Sequence, residues 1–331
     1  MSVAFSTDAA FVETLESARS IRLSAYVLRT GSPVVEALER AASGGAGVDV
    51  VLEGLPHARG AEGALARANA AVAADLRACG ATVRLTQASE EPMHMKAAVV
   101  DGTTYLDDRN WTTGEHDALV VTTDAEVART VGEALSGRPT RASASFAVEK
   151  RDALRLEAEA IAAAPGDRID VETESFGATE MSVALRDRAR SGSLVRLLVS
   201  PEELRGPGAE RERNALASLA AAGVQIETSA ANEKLCVAGG DAWVGSANAT
   251  YSPRPIADWG LRTRDPAFVA SRKPALRAEL DGRGAVTFPA APLRPRRRAH
   301  RIVRARWRRC LARPFRRSSQ VFRQAALRCA P

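Results

Sequence analysis

The chain has 331 residues, 45% hydrophobic and 26% charged, with 46 lysines and arginines against 40 aspartates and glutamates, a formal net charge of +6. That is a globular composition, long enough for two domains or one large pseudo-symmetric unit with a sizeable core, and it excludes a disulfide-stapled miniprotein. Cys79, Cys236, Cys310 and Cys329 are far apart and form no close metal-binding pair, so neither a metal nor any other cofactor is expected. No apolar run approaches the roughly 20 residues that span a bilayer, and Met1 to Asp8 lacks the basic-then-apolar order of a secretory signal. A cytoplasmic chain is the expectation.

Strand and helix signals alternate along the chain. Ser20–Leu28 alternates as a strand, Pro33–Ala42 has helical spacing, and Val48–Leu52 is a β-branched run flanked by glycines, which together make a βαβ opening. Ala64–Cys79 is an alanine-rich helix stopped by Gly80, and Ala81–Leu85 is the next strand. Met95–Val100 and Thr103–Leu106 then read as a hairpin around Asp101–Gly102. After a connecting helix over Asp152–Ala164 the order begins again. Strand Arg168–Glu172, helix Met181–Arg190, strand Ser193–Val199, helix Arg211–Ala222 and strand Val224–Thr228 precede hairpin arms at Lys234–Ala238 and Ala242–Val244.

The repeat is strongest where it aligns without gaps. Residues 94–110 lie over residues 232–248 at a constant offset of 138, which pairs Lys96 with Lys234 and Asn110 with Asn248. The chain has only four lysines, Lys96, Lys150, Lys234 and Lys273, so two of them in register carry weight. Each asparagine is followed by an aspartate, Asp117 or Asp258.

His94-x-Lys96-x4-Asp101-Gly102, with a strand and a polar turn ending in Asn110, resembles the HKD motif of the phospholipase D superfamily; Gly245-Ser246-Ala247-Asn248 resembles the end of the same motif in the second copy. The resemblance covers about residues 15–275 and implies an α/β fold, a duplicated phospholipase D-like α/β/α sandwich with pseudo-two-fold symmetry. The expected parts are a first half at 1–145 with the intact motif, a second at 146–287 with a degenerate one, and a Pro/Arg-rich linker and basic tail at 288–331.

The chemistry fits these residue types. Two lysines can spread positive charge over the non-bridging oxygens of a phosphodiester as negative charge builds up. Asn110 and Asn248, with Ser246, offer further donors to the phosphate. A neutral imidazole at His94 can attack phosphorus and hold a covalent phosphohistidine, provided that a carboxylate orients its other nitrogen. Asp117 is the candidate for that carboxylate, and Asp101 is counted with the catalytic motif, although pinning its turn is the simpler role. In the family a second histidine acts as general acid and no metal is needed. Here that position is Asn232, Asp101 is matched by Gly239, and Asp107-Asp108-Arg109 replaces the usual small residues.

Several readings stay open. The chain is a one-histidine phosphodiesterase or phosphatidyltransferase acting on a phospholipid, a catalytically inactive module that binds phosphate or anionic lipid, a nuclease-like member acting on nucleic acid, or a homodimer that brings two copies of His94 together. Loss of a general acid costs about a hundred- to ten-thousand-fold. His116 offers a substitute acid or a solvated turn residue; Trp111 and Trp243 offer a lipid or base pocket or, more simply, core packing.

The charge is uneven. Arg294–Pro331 holds fourteen arginines and no acidic residue, which leaves 32 basic against 40 acidic residues in the first 293, a net of −8. Val303, Trp307, Cys310 and Leu311 fall at helical spacing among these arginines, followed by Phe315 and Phe322, a pattern of basic amphipathic helices lying on an anionic membrane surface. A disordered tail is the alternative, and nucleic acid is the rival partner. The expected location is cytoplasmic and peripheral at a membrane surface; oligomeric state is not legible.

Overall fold

The computed structural model describes residues 3–56, 62–112, 119–205, 209–228 and 233–281. The chain groups into two units, Met1–Ala291 and Pro292–Pro331, and the second, with the tail expected to bind membranes, lies outside the described residues.

The first half runs β1 (Val3–Phe5), α1 (Asp8–Ser17), β2 (Ser20–Ala25), α2 (Pro33–Ser43), β3 (Gly47–Leu52), α3 (Glu62–Ala78), β4 (Thr82–Leu85), β5 (Lys96–Val100), β6 (Thr103–Asp107), β7 (Leu119–Thr122) and α4 (Ala125–Leu135). The second runs β8 (Phe146–Glu149), α5 (Lys150–Ala163), β9 (Arg168–Thr173), α6 (Glu180–Arg190), β10 (Leu194–Val199), α7 (Ala209–Ala220), β11 (Gln225–Thr228), β12 (Leu235–Ala238), β13 (Asp241–Gly245), β14 (Ala257–Thr263) and α8 (Pro266–Asp281).

Each half builds one seven-stranded sheet, and the two orders coincide: β4-β3-β2-β5-β6-β7-β1 and β11-β10-β9-β12-β13-β14-β8. In each, three parallel strands joined through helices meet an antiparallel meander, at β2/β5 and at β9/β12. The duplication expected from the matched motifs is thus present in the topology, strand for strand. Local signals explain the elements: α2 opens on a Ser32 cap with Pro33 in its first turn, and turns Val34, Val35, Leu38 and Ala42 inward.

Three apolar clusters set the layers. One joins α1, α2 and α3 to the first sheet, and a second joins α5 and α6 to the other. The third lies between the halves, where Met95, Ala97 and Leu106 of one sheet meet Leu235, Val244 and Trp259 of the other, flanked by α4 and α8. Strand alternation makes this possible: in β5, Ala97 faces the central cluster and Ala98 the outer one. No helix among the described residues is long and apolar enough to cross a membrane.

Strands β1, β7, β8 and β14 and helices α1, α4 and α8 carry signals that the sequence reading does not register. β14 is instructive, since its buried Asp258 and its Gly260 are poor strand residues. A Cβ at Gly260 would lie 2.7 Å from the Ala153 Cβ and 2.8 Å from Trp243 Nε1, so the glycine is what lets α5 rest on β14. Gly260→Ala is expected to lower stability by about 1–3 kcal/mol, through overpacking, read as a lower urea midpoint at unchanged slope.

Candidate active site

Residues 92–94, just before β5, run alongside the start of β14 in the other half. Ala257 N donates to the carbonyl of Pro92 and His94 N to the carbonyl of Ala257, both at 3.0 Å. This short zipper fixes His94 beside Asp258, the next residue along β14. His94 Nδ1 lies 3.0 Å from Asp258 Oδ1. A carboxylate there accepts the Nδ1 proton and leaves Nε2 with its lone pair, the tautomer a nucleophile needs.

Asp258 is itself held from behind. Ser246 Oγ donates to the same Oδ1 at 2.6 Å and accepts from Trp259 N at 3.1 Å, while Trp259 Nε1 donates to the carbonyl of Asp107 at 2.9 Å. The chain of contacts passes from one half to the other and back. Burial alone would raise the pKa of Asp258; its interactions with His94, Lys96 and Lys150 outweigh that and hold the carboxyl well below its ordinary range. Burial, then the charge of Lys96, pushes His94 below its usual value, so the ring is neutral at physiological pH.

Lys96 Nζ lies 3.1 Å from Nδ1 and 3.3 Å from Nε2 of His94, and the Tyr26 ring packs on both residues, 4.7 Å from the imidazole and 5.7 Å from the ammonium. Lys234 stands across the cleft, 3% exposed, with its Nζ 3.3 Å from Glu174 Oε2. Asn248 also hydrogen-bonds Glu174. Lys150 is a third buried ammonium close behind, donating to Thr250 Oγ1 at 3.0 Å and within electrostatic reach of Asp258, Lys234 and Glu174. The cleft has a volume of about 680 Å³, and His94, Lys96, Asn110, Lys234 and Asn248 all line it. It could hold a phosphate with an organic substituent.

Three sequence-based assignments change, those of Ser246, Asp101 and Asp117. Ser246, expected among the phosphate donors, is fully buried and spends its hydroxyl on Asp258. Asp101 sits at the far end of β5 from Lys96, where its carboxylate accepts from the backbone of Arg19 (3.1 Å) and Ser20 (2.9 Å); it ties the hairpin turn to β2 and does not reach the cleft. Asp117, Asn232 and His116 lie outside the described residues, and the carboxylate found on His94 is Asp258. Asp107 accepts from Trp111 N at 2.6 Å, and burial, with Asp108 beside it, pushes its carboxyl up and so favours its neutral form. Asn110 lines the cleft while its Oδ1 accepts from Val27 N at 3.2 Å. Trp111 stacks on Phe11 at 4.8 Å and Trp243 is 1% exposed, so both serve the core.

Asp258, Glu174 and Lys150 are the residues that sequence reasoning left without a role. Scarcity of lysine was the available signal for Lys150. Among the described residues no group of three or more His, Cys, Asp or Glu side chains is placed to hold a metal ion.

Residues 11–136 match the family described as "Cardiolipin synthase, PLD-like domain". Phosphatidylserine synthase from Haemophilus influenzae Rd KW20 superposes with a TM-score of 0.61 at 11% identity, over 86% of this chain and 87% of that one. Polyphosphate kinase from Porphyromonas gingivalis gives 0.60 at 16% identity, over 85% of this chain but 47% of that one, so this chain spans about half the kinase. Nuc from Salmonella typhimurium, a phospholipase D family member, covers 43% of this chain and 97% of its own length at 17% identity, with a TM-score of 0.37. At these identities the likeness is one of fold. No curated protein matches this chain in sequence.

The lysines give the site a pH signature. Burial outweighs the pull of Asp258 and lowers Lys96 to about 8. Below that pH the ammonium is present and attracts an anion; above it the neutral amine does not. Affinity for inorganic phosphate, measured by calorimetry between pH 6 and 9.5, is therefore expected to fall as pH rises through about 8, and Lys96→Gln to lower affinity and remove that step.

Proposed function

From the match of residues 11–136 to a phospholipase D-like family and the duplicated fold of the whole, we propose that the chain is a phospholipase D-like enzyme that carries out hydrolysis or transfer at a phosphodiester through a covalent phosphohistidine at His94. The observation that carries the proposal is the His94–Asp258–Ser246 relay opening onto a cleft with Lys96 and Lys234 on its two sides. In the first step Nε2 attacks phosphorus while the lysines, Asn110 and Asn248 draw negative charge onto the non-bridging oxygens. Asp258 stabilises the imidazolium that forms. In the second step water or an alcohol displaces the histidine, which gives hydrolysis or phosphatidyl transfer.

A phospholipid is the proposed substrate. The family description names cardiolipin synthase, and Arg294–Pro331 has the composition of a segment that meets anionic lipid. Incubation with a phosphatidyl substrate labelled at phosphorus, quenched in alkali because phosphohistidine is acid-labile, is expected to label wild type and not His94→Ala. No label and no turnover in wild type, under conditions where Asn232→His turns over, would replace this reading with a binding-only one.

The tail has its own test. Each arginine near an anionic surface contributes about 1 kcal/mol, so co-sedimentation with vesicles containing phosphatidylglycerol is expected to be salt-sensitive and to drop sharply in a chain ending at residue 293. Equal binding after truncation, or displacement of the full chain by duplex DNA at equal charge, would count against a membrane role.

A further inference from the structure

We propose that Glu174 does the proton work for which a phosphohistidine mechanism needs a second group: it protonates the leaving oxygen in the first displacement and takes a proton from water or the acceptor alcohol in the second. The inference rests on the phosphohistidine reading above and adds a residue to it.

The placement follows from strand register. In the first sheet β2 pairs Ser24 with Ala97, so one step further Ala25 stands beside Lys96, and Tyr26 is the next residue. In the second, β9 pairs Glu172 with Leu235, so Thr173 stands beside Lys234, and Glu174 is next. Tyr26 and Glu174 are therefore equivalent, one at the end of each half's first long strand. Tyr26 packs on the nucleophile and its lysine; Glu174 packs on the opposite lysine, on the side of the cleft where a proton donor is required. Asn232 in the second copy of the motif cannot donate or accept a proton at neutral pH.

Contacts make the carboxylate suitable. It touches Lys234 at 3.3 Å and Asn248, the two second-half groups that would hold a phosphate oxygen, so a phosphorus bound there brings its ester oxygens to Glu174. Its side chain is 35% exposed, which leaves water access for the second step. In the empty cleft burial would favour the neutral acid, but Lys234 and Asn248 outweigh burial and keep Glu174 ionised. A bound phosphate takes over those donors and sets negative charge beside the carboxylate, and both changes favour its protonation. The substrate thus loads its own acid.

The proton balance closes. His94 Nε2 forms the N–P bond, the P–O bond to the leaving group breaks, and the departing oxygen takes the Glu174 proton to leave as an alcohol. The resulting carboxylate accepts a proton from water, whose oxygen bonds phosphorus as the P–N bond breaks and its electron pair returns to Nε2. Glu174 is then protonated for release of the phosphate product.

The experiment compares leaving groups. A nitrophenolate departs without a proton, whereas an alkoxide needs one, so Glu174→Gln in the full chain is expected to lose about 10²- to 10⁴-fold with a phosphatidyl or dialkyl phosphodiester. With bis(p-nitrophenyl) phosphate the same variant is expected to release one equivalent of nitrophenol at close to the wild-type rate and then stall as phosphohistidine, because the base of the second step is gone. That retained burst also shows the variant to be folded. Adding Asn232→His to Glu174→Gln is expected to restore turnover. Equal losses on both substrates, or unchanged turnover of the alkyl diester, would overturn the role of Glu174 alone. Absence of any His94-dependent turnover in wild type would overturn the phosphohistidine reading and this proposal with it.

Discussion

The site depends on a carboxylate, Asp258, that belongs to the core of one half and is used by a histidine of the other. Placing a charge at 1% exposure costs several kcal/mol unless it is answered by opposite charge and hydrogen bonds. Asp258 is answered by the His94 ring, the Ser246 hydroxyl and the nearby ammonium groups of Lys96 and Lys150. Removing any of these leaves a buried charge short of a partner, so the interface between halves and the geometry of His94 are one problem. Strand β14 solves it by presenting three adjacent residues to three tasks: Ala257 zips to residues 92–94, Asp258 orients the ring, and Trp259 reaches the backbone of Asp107.

The same arrangement explains how an acidic body can attract an anion. Over its first 293 residues the chain carries a net of −8, and a phosphodiester is repelled at long range. Two of its four lysines, Lys96 and Lys234, nevertheless line one cleft and Lys150 lies within electrostatic reach behind it, while arginine supplies nearly all other positive charge. Lysine is suited to that position. Its charge is compact, it carries three donors that rotate to follow a phosphate through the reaction, and it tolerates burial at the expense of a lowered pKa. The buried acids nearby are moderated too, since burial and the charge of Asp108 push Asp107 up towards its neutral form.

The duplication and the pairing of Lys96 with Lys234 were legible in the sequence because each rests on local pattern and constant spacing. What was not legible follows from how the halves face each other. Asp117 was the natural orienting carboxylate by proximity along the chain, whereas the arrangement of the halves hands Asp258 of the second half to His94 of the first. Register shows the equivalence: Asp258 stands two residues before Gly260, which pairs with Gly245, as Asp117 stands two before Leu119, which pairs with Asp107. Ser246 read as a phosphate donor because the motif gives spacing and not side-chain direction. Glu174 carried no motif, and only the ladder that sets it beside Lys234 gives it significance.

The two departures in the second motif therefore differ in meaning. Gly239 replaces Asp101 where the backbone has φ of 65° and a Cβ would lie 2.4 Å from the carbonyl of Pro165. That position excludes any side chain, and because Asp101 ties a hairpin to β2 far from the cleft, the loss of its counterpart concerns folding and not chemistry. Asn232 alone removes a chemical capacity. In the proposed reaction the imidazole becomes positive, and Asp258, already buried against it, is placed to stabilise that charge.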